Sequence, residues 1–114
     1  MALDAVTRKI VALRGVIEAD TDGCREDSQW RVYDTKDFVA GRRYHHFLDV
    51  APYSFDEPAV RRVFAEARTI FVNAVMGRMP EYVEGTGALN TIIAQNRTAQ
   101  KLYGGGDTLQ VNSR

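Results

Sequence analysis

Cysteine is almost absent from this 114-residue chain: Cys24 stands alone. A lone cysteine excludes an intrachain disulfide and any cysteine-built zinc centre within one chain. Histidine is nearly as scarce, with only His45 and His46. No apolar run approaches the roughly 18 residues that cross a bilayer. Asp4, Arg8 and Lys9 interrupt the apolar start, so no signal-peptide core is expected. Charge of one sign is missing too: 15 basic residues balance 15 acidic ones. Gripping phosphate backbones normally requires a net positive field, so this balance argues against a dedicated nucleic-acid binder. The expected location is the cytoplasm, or a particle assembled there, with no membrane partner.

What is present is ordinary for a folded domain. A hydrophobic share of 45% and a charged share of 26% exclude a disordered chain. The length suits one modest core. The expected organisation is a single globular domain over residues 1–103 and a Gly-hinged tail over 104–114.

Periodicity predicts the elements. Leu3, Val6, Ile10, Leu13 and Ile17 recur at spacings of three and four. That is the rhythm of a helix–helix seam, so a helix is expected over residues 3–18. Residues 30–33 and 43–50 are rich in aromatic and β-branched side chains and predict two strands, pairing as a hairpin with a long connection. In the second, Tyr44, His46, Leu48 and Val50 share a face. Ser54 and Glu57 have the spacing of a capping box, with Pro58 in the first turn, and an apolar stripe from Val60 to Val75 extends the expected helix over residues 56–79. Gly85 and Gly87 read as a break before a last helix over residues 88–103, and Gly104, Gly105 and Gly106 as a hinge. The fold class expected is α+β: a small helix-dominated domain with about three helices and a two-stranded hairpin.

Four local patterns bear on chemistry. Asp20, Asp22, Gly23 and Glu26 match the middle of a calcium-binding EF-hand loop, which makes Asp20, Asp22 and Glu26 a weak calcium candidate. Gln29 stands where that loop has its bidentate Glu, and a strand follows in place of a helix, so an acidic helix-terminating turn is the simpler reading. His45 and His46 are strand neighbours and point to opposite faces, so they do not share one metal or substrate. Either one paired with Asp34 or Asp49 gives a general base without an activated nucleophile, and the simpler reading is a half-buried strand histidine satisfied by a backbone carbonyl. Arg42 and Arg43 before Tyr44, and Arg61 with Arg62, are doublets suited to phosphate or to surface ion pairing with Asp34, Asp37, Asp56 and Glu57. The glycine clusters lack the Lys-Ser/Thr end of a P-loop and read as punctuation.

The last expected helix exposes uncharged polar residues, a composition common where proteins meet. Its Asn90, Gln95, Arg97 and Gln100, the seam residues Leu3, Ile10 and Ile17, and the aromatics Trp30, Tyr33 and Tyr44 are the candidate interface residues. With no catalytic group, resident metal or cofactor assigned, the expected function is that of a non-enzymatic assembly protein, such as a virus- or phage-particle component. Its partners would be copies of itself or other proteins of the assembly. Two alternatives are an adaptor or inhibitor binding one macromolecule, and a small enzyme or ligand-binding domain using His45 or His46 with Asp49.

Overall fold

A computed structural model of the chain describes residues 9–21, 25–78 and 80–105. Strand β1 (Gly15–Ala19) lies between β2 (Trp30–Asp34) and β3 (His46–Val50), antiparallel to both. Helix α1 (Pro58–Glu66) follows, then β4 (Thr69–Asn73), helix α2 (Glu84–Gln95) and β5 (Gln100–Gly104). Strands β4 and β5 pair in parallel, Thr69 opposite Gln100 and Asn73 opposite Gly104. The fold is α+β, but the helix-dominated expectation of three helices and one hairpin is overturned. The described residues hold two α-helices and five strands in two sheets.

Each departure has a local cause. The seam expected over residues 3–18 ends in a strand, and residues 1–8, Leu3 included, lie outside the described residues. Val16 and Ile17 are β-branched and gain ladder hydrogen bonds on both sides, which helical spacing alone does not outweigh. Ile17 is buried while Ile10 is exposed, so the two do not form one stripe. A Cβ on Gly15 would meet Ser54 Oγ and the Tyr53 ring at 2.7 Å, so glycine is what lets this strand approach its neighbour. The two strands expected to pair with each other instead both pair with β1, which the helical reading had concealed.

The long helix over residues 56–79 stops at Glu66, and residues 69–73 form β4. Thr69, Ile70, Phe71 and Val72 favour a strand. Asn96 secures the stop: its Nδ2 donates to the carbonyls of Phe64 at 2.8 Å and Ala67 at 2.9 Å, satisfying groups that a helix end leaves open. Pro58 occupies the first turn of α1 as expected, but no side chain caps that start. Ser54 is turned the other way. It is fully buried, takes the Gly15 N–H at 2.7 Å and donates to the Gly15 carbonyl at 3.2 Å.

The last helix is displaced towards the N-terminus. It begins at Glu84 and contains Gly85 and Gly87, and residues 100–104 are strand. Its core side chains reach three ways. Tyr82, just before it, packs with Ile17, Ala19 and Ala51 under the antiparallel sheet. Ile92 packs with Phe55 and Val60 of the α1 region, and Ile93 with Ile70 and Val72 of the parallel sheet. Helix α2 is therefore the shared wall between the two sheets.

Candidate functional site

Strand β4, helix α2 and strand β5 form a β–α–β unit with parallel strands. In such sheets ligands bind beyond the carboxyl ends of the strands. Here those ends are Asn73 and Gly104, directly opposite in register.

Both strands leave the sheet through left-handed backbone. Ala74 has φ +86°, the only described non-glycine residue with positive φ, and Gly105 has φ +89°. Such a conformation costs an L-residue about 1–2 kcal/mol. The Ala74 N–H donates to the Gly104 carbonyl at 3.1 Å, which ties the two exits together. Asn73 is exposed beside them, its Oδ1 3.5 Å from where a Gly104 Cβ would sit. The sequence continues with Gly106, Asp107 and Thr108, outside the described residues.

Met76 and Gly77, after β4, are tied closely to the start of α2. The Met76 N–H donates to Thr86 Oγ1 at 2.9 Å, and the Thr86 hydroxyl returns a bond to the Met76 carbonyl at 2.7 Å. Gly77, with φ +79°, leaves no room for a side chain: a Cβ would overlap the Tyr82 carbonyl and come within 2.8 Å of Asp49 Cγ.

The N-terminus of α2 is already occupied by an internal carboxylate. Asp49 of β3 is buried, and its Oδ2 accepts the Gly85 N–H at 3.0 Å while Oδ1 accepts its own Val50 N–H at 2.7 Å. Burial pushes the Asp49 carboxyl above the usual aspartate range despite these two donors, and nearby Glu84 adds to the rise. Glu84 shifts the other way. Burial opposes its ionisation, but the hydrogen bond and charge of Arg25, with N–H donors at Val83 and Glu84, outweigh it and hold the carboxyl below the usual glutamate range. Arg25 in turn lies 4.2 Å over the Trp30 ring and 5.1 Å over that of Tyr82. Asp49 thus holds the α2 N-terminus from inside the fold.

The other residues singled out in the sequence are dispersed. Asp20 Oδ1 accepts the Gln29 N–H at 3.0 Å, Glu26 lies exposed in a 3-10 turn, and Asp22 is outside the described residues. The described residues contain no cluster of three or more metal-ligating side chains. His45 and His46 are exposed on the antiparallel sheet region, whereas Asp49 is buried against α2, so no His–Asp pair forms. Tyr33 and Tyr44 pack edge to face at 5.7 Å. Gln95 and Arg97 are exposed around the end of α2, Asn90 is half-buried within it, and Gln100 is exposed in β5. None of the described helices is long and apolar enough to cross a membrane.

A helix joining two parallel strands puts this part of the chain in the class of β–α–β units, whose ligands bind beyond the carboxyl ends of the strands. Within that class, residues 5–114 match the family model of phosphoglycerate kinase, and the chain belongs to that family. No curated protein matches it. Family membership overturns the reading of a non-enzymatic structural or virion-assembly component: the family is one of metabolic enzymes. The misreading has a physical origin. An activated nucleophile or a His-centred site marks many enzymes, but phosphoryl transfer needs neither, because it works by positioning and charge stabilisation. The uncharged polar face that pointed to assembly was drawn on a longer helix; α2 ends at Gln95, and Asn96 just beyond it is a buried structural clamp.

Proposed function

We propose that the chain works in phosphoryl transfer between a nucleotide and phosphoglycerate, holding a phosphate-bearing substrate at the carboxyl ends of β4 and β5. The observation that carries this reading is the pair of left-handed residues, Ala74 and Gly105, facing each other where the two parallel strands end. Strained backbone kept at a ligand-binding edge is a recognised sign of a functional site. The chemistry follows from the parts. Main-chain N–H groups at a glycine turn approach phosphate oxygens closely because no Cβ intervenes. The exposed Asn73 amide adds a side-chain donor beside them. Thr86, Gly77 and Asp49 fix the β4–α2 loop, so the edge is set before substrate arrives and little ordering is left for the moment of binding. A cytoplasmic location fits such an enzyme.

The test is calorimetric titration of the chain with MgATP and MgADP, alongside a coupled kinase assay with phosphoglycerate. Nucleotide binding weakened at least ~10-fold by Gly105→Val supports the reading, since a branched side chain blocks the approach and opposes positive φ. Absence of binding at millimolar nucleotide, or binding indifferent to Gly105→Val, contradicts it.

A further inference from the structure

On the antiparallel sheet, remote from the β4–β5 exits in its lining residues, lies a polar cavity of about 290 Å³. Arg31 enters it from β2, and Arg42, Arg43 and His45 from the segment leading into β3; Glu18 and Asp20 are its two acidic residues. We propose that this cavity is a binding site for a small phosphate-bearing anion.

Three observations carry the assignment. First, the carboxylates are engaged by main chain. Glu18 Oε2 accepts the His45 N–H at 3.0 Å, and Asp20 Oδ1 accepts the Gln29 N–H at 3.0 Å. Second, no ion pair neutralises the arginines of the cavity, as none neutralises Arg62, Arg68 or Arg97 among the described residues. Arg61 pairs with Asp56 at 2.8 Å, and Arg14 and Arg25 with Glu57 and Glu84. Among the described residues, Arg31 and Arg43 have no ion pair, although Arg31 of β2 stands directly opposite Glu18 of β1 in register. Third, Arg42 is held ready. Its guanidinium lies 5.1 Å from the Tyr44 ring centre and 5.8 Å from that of Tyr33, and it donates to the Tyr33 hydroxyl at 3.3 Å.

Three planar forks around one cavity match the oxygen geometry of phosphate, where a point charge such as lysine would not. The volume lies just below the usual range of small-ligand pockets and excludes a large ligand from full burial. Single-stranded nucleic acid is disfavoured, because bases need free aromatic faces. Here Tyr33 and Tyr44 pack on one another and on Phe38, and carry Arg42. The site is independent of the kinase reading, since its lining shares no residue with the strand exits.

The experiment is titration of the isotopically labelled full chain with inorganic diphosphate, read by amide shifts and calorimetry. Shifts should appear at the amides of Gln29, Arg31, Arg43 and His45, and binding should weaken as salt rises. Arg31→Gln and Arg43→Gln should each weaken it at least ~10-fold, with Arg43→Lys between those variants and the parent. Both positions are exposed, and an unchanged far-ultraviolet spectrum separates lost binding from lost fold. The proposal is overturned if millimolar diphosphate moves none of these amides, or moves them equally in both Gln variants. It is also overturned if a single-stranded oligonucleotide binds there and diphosphate does not. Shifts at Asn73 and Gly105 would report the strand exits instead, so the two sites are distinguished residue by residue.

Discussion

Gly77 shows how one residue holds the β4–α2 loop in its shape. Its positive φ and the crowding by the Tyr82 carbonyl and the Asp49 carboxylate leave no path for a methyl group. Gly77→Ala should cost about 2 kcal/mol or more, measured by urea unfolding, because the nearest obstacle is main chain that cannot rotate away. Glu84 and Asp49, on either side of the α2 N-terminus, respond oppositely to acid. Glu84 has a lowered folded pKa, so its contribution is present above the ordinary glutamate range and is lost as pH falls through the folded value. Asp49 has a raised folded pKa, so its contribution is greatest in acid and is lost as pH rises through that value. Glu84→Gln should therefore lower stability at neutral pH and converge with the parent in acid. Unfolding midpoints across a pH series check this, and a gap that persists undiminished in acid would exclude the Arg25–Glu84 pair as its source. At this scale the sequence was partly legible. Pro58 in a first turn and the aromatic strands could be read directly, whereas Ser54 and Asp49 act on Gly15 and Gly85, partners far away in sequence.

At the scale of elements, boundaries were the weak point, and Asn96 explains why. Its side chain donates to carbonyls at the end of α1 and accepts the Ala99 N–H at 3.0 Å, so one residue ends one helix and starts the path into β5. Within its own segment it resembled a polar position on the stripe of a longer helix. Asn96→Ala should destabilise the chain by about 3 kcal/mol, as several main-chain groups lose their partner at once. A chemical denaturation curve reads the loss directly. A change below about 0.5 kcal/mol, the range of ordinary surface substitutions, would show that water replaces the clamp. Apolar periodicity carried both helical misreadings: residues 69–73 continue the rhythm of α1, and their β-branched character became decisive only with β5 alongside. The β-branched strand residues at 16 and 17 were masked in the same way.

For the whole molecule, the α+β character was legible from periodicity, but the parallel β4–α2–β5 unit was not. Parallel pairing joins strands distant in sequence, and no turn signal announces it. Without that unit the three glycines at 104–106 resembled a hinge; with it, Gly104 ends β5 and Gly105 follows with positive φ, beside Ala74. The function proposed for the strand exits was hidden for a related reason. Donors supplied by main chain leave only glycine as a signature, and glycine is also the residue of ordinary turns.

The central claim, that the β4 and β5 exits hold the phosphate-bearing substrate, is tested most directly by mapping MgADP onto the amide spectrum of the labelled chain. The account predicts shifts centred on Asn73, Ala74, Gly104 and Gly105, abolished by Gly105→Val. Saturating nucleotide that leaves those four amides unmoved would contradict it.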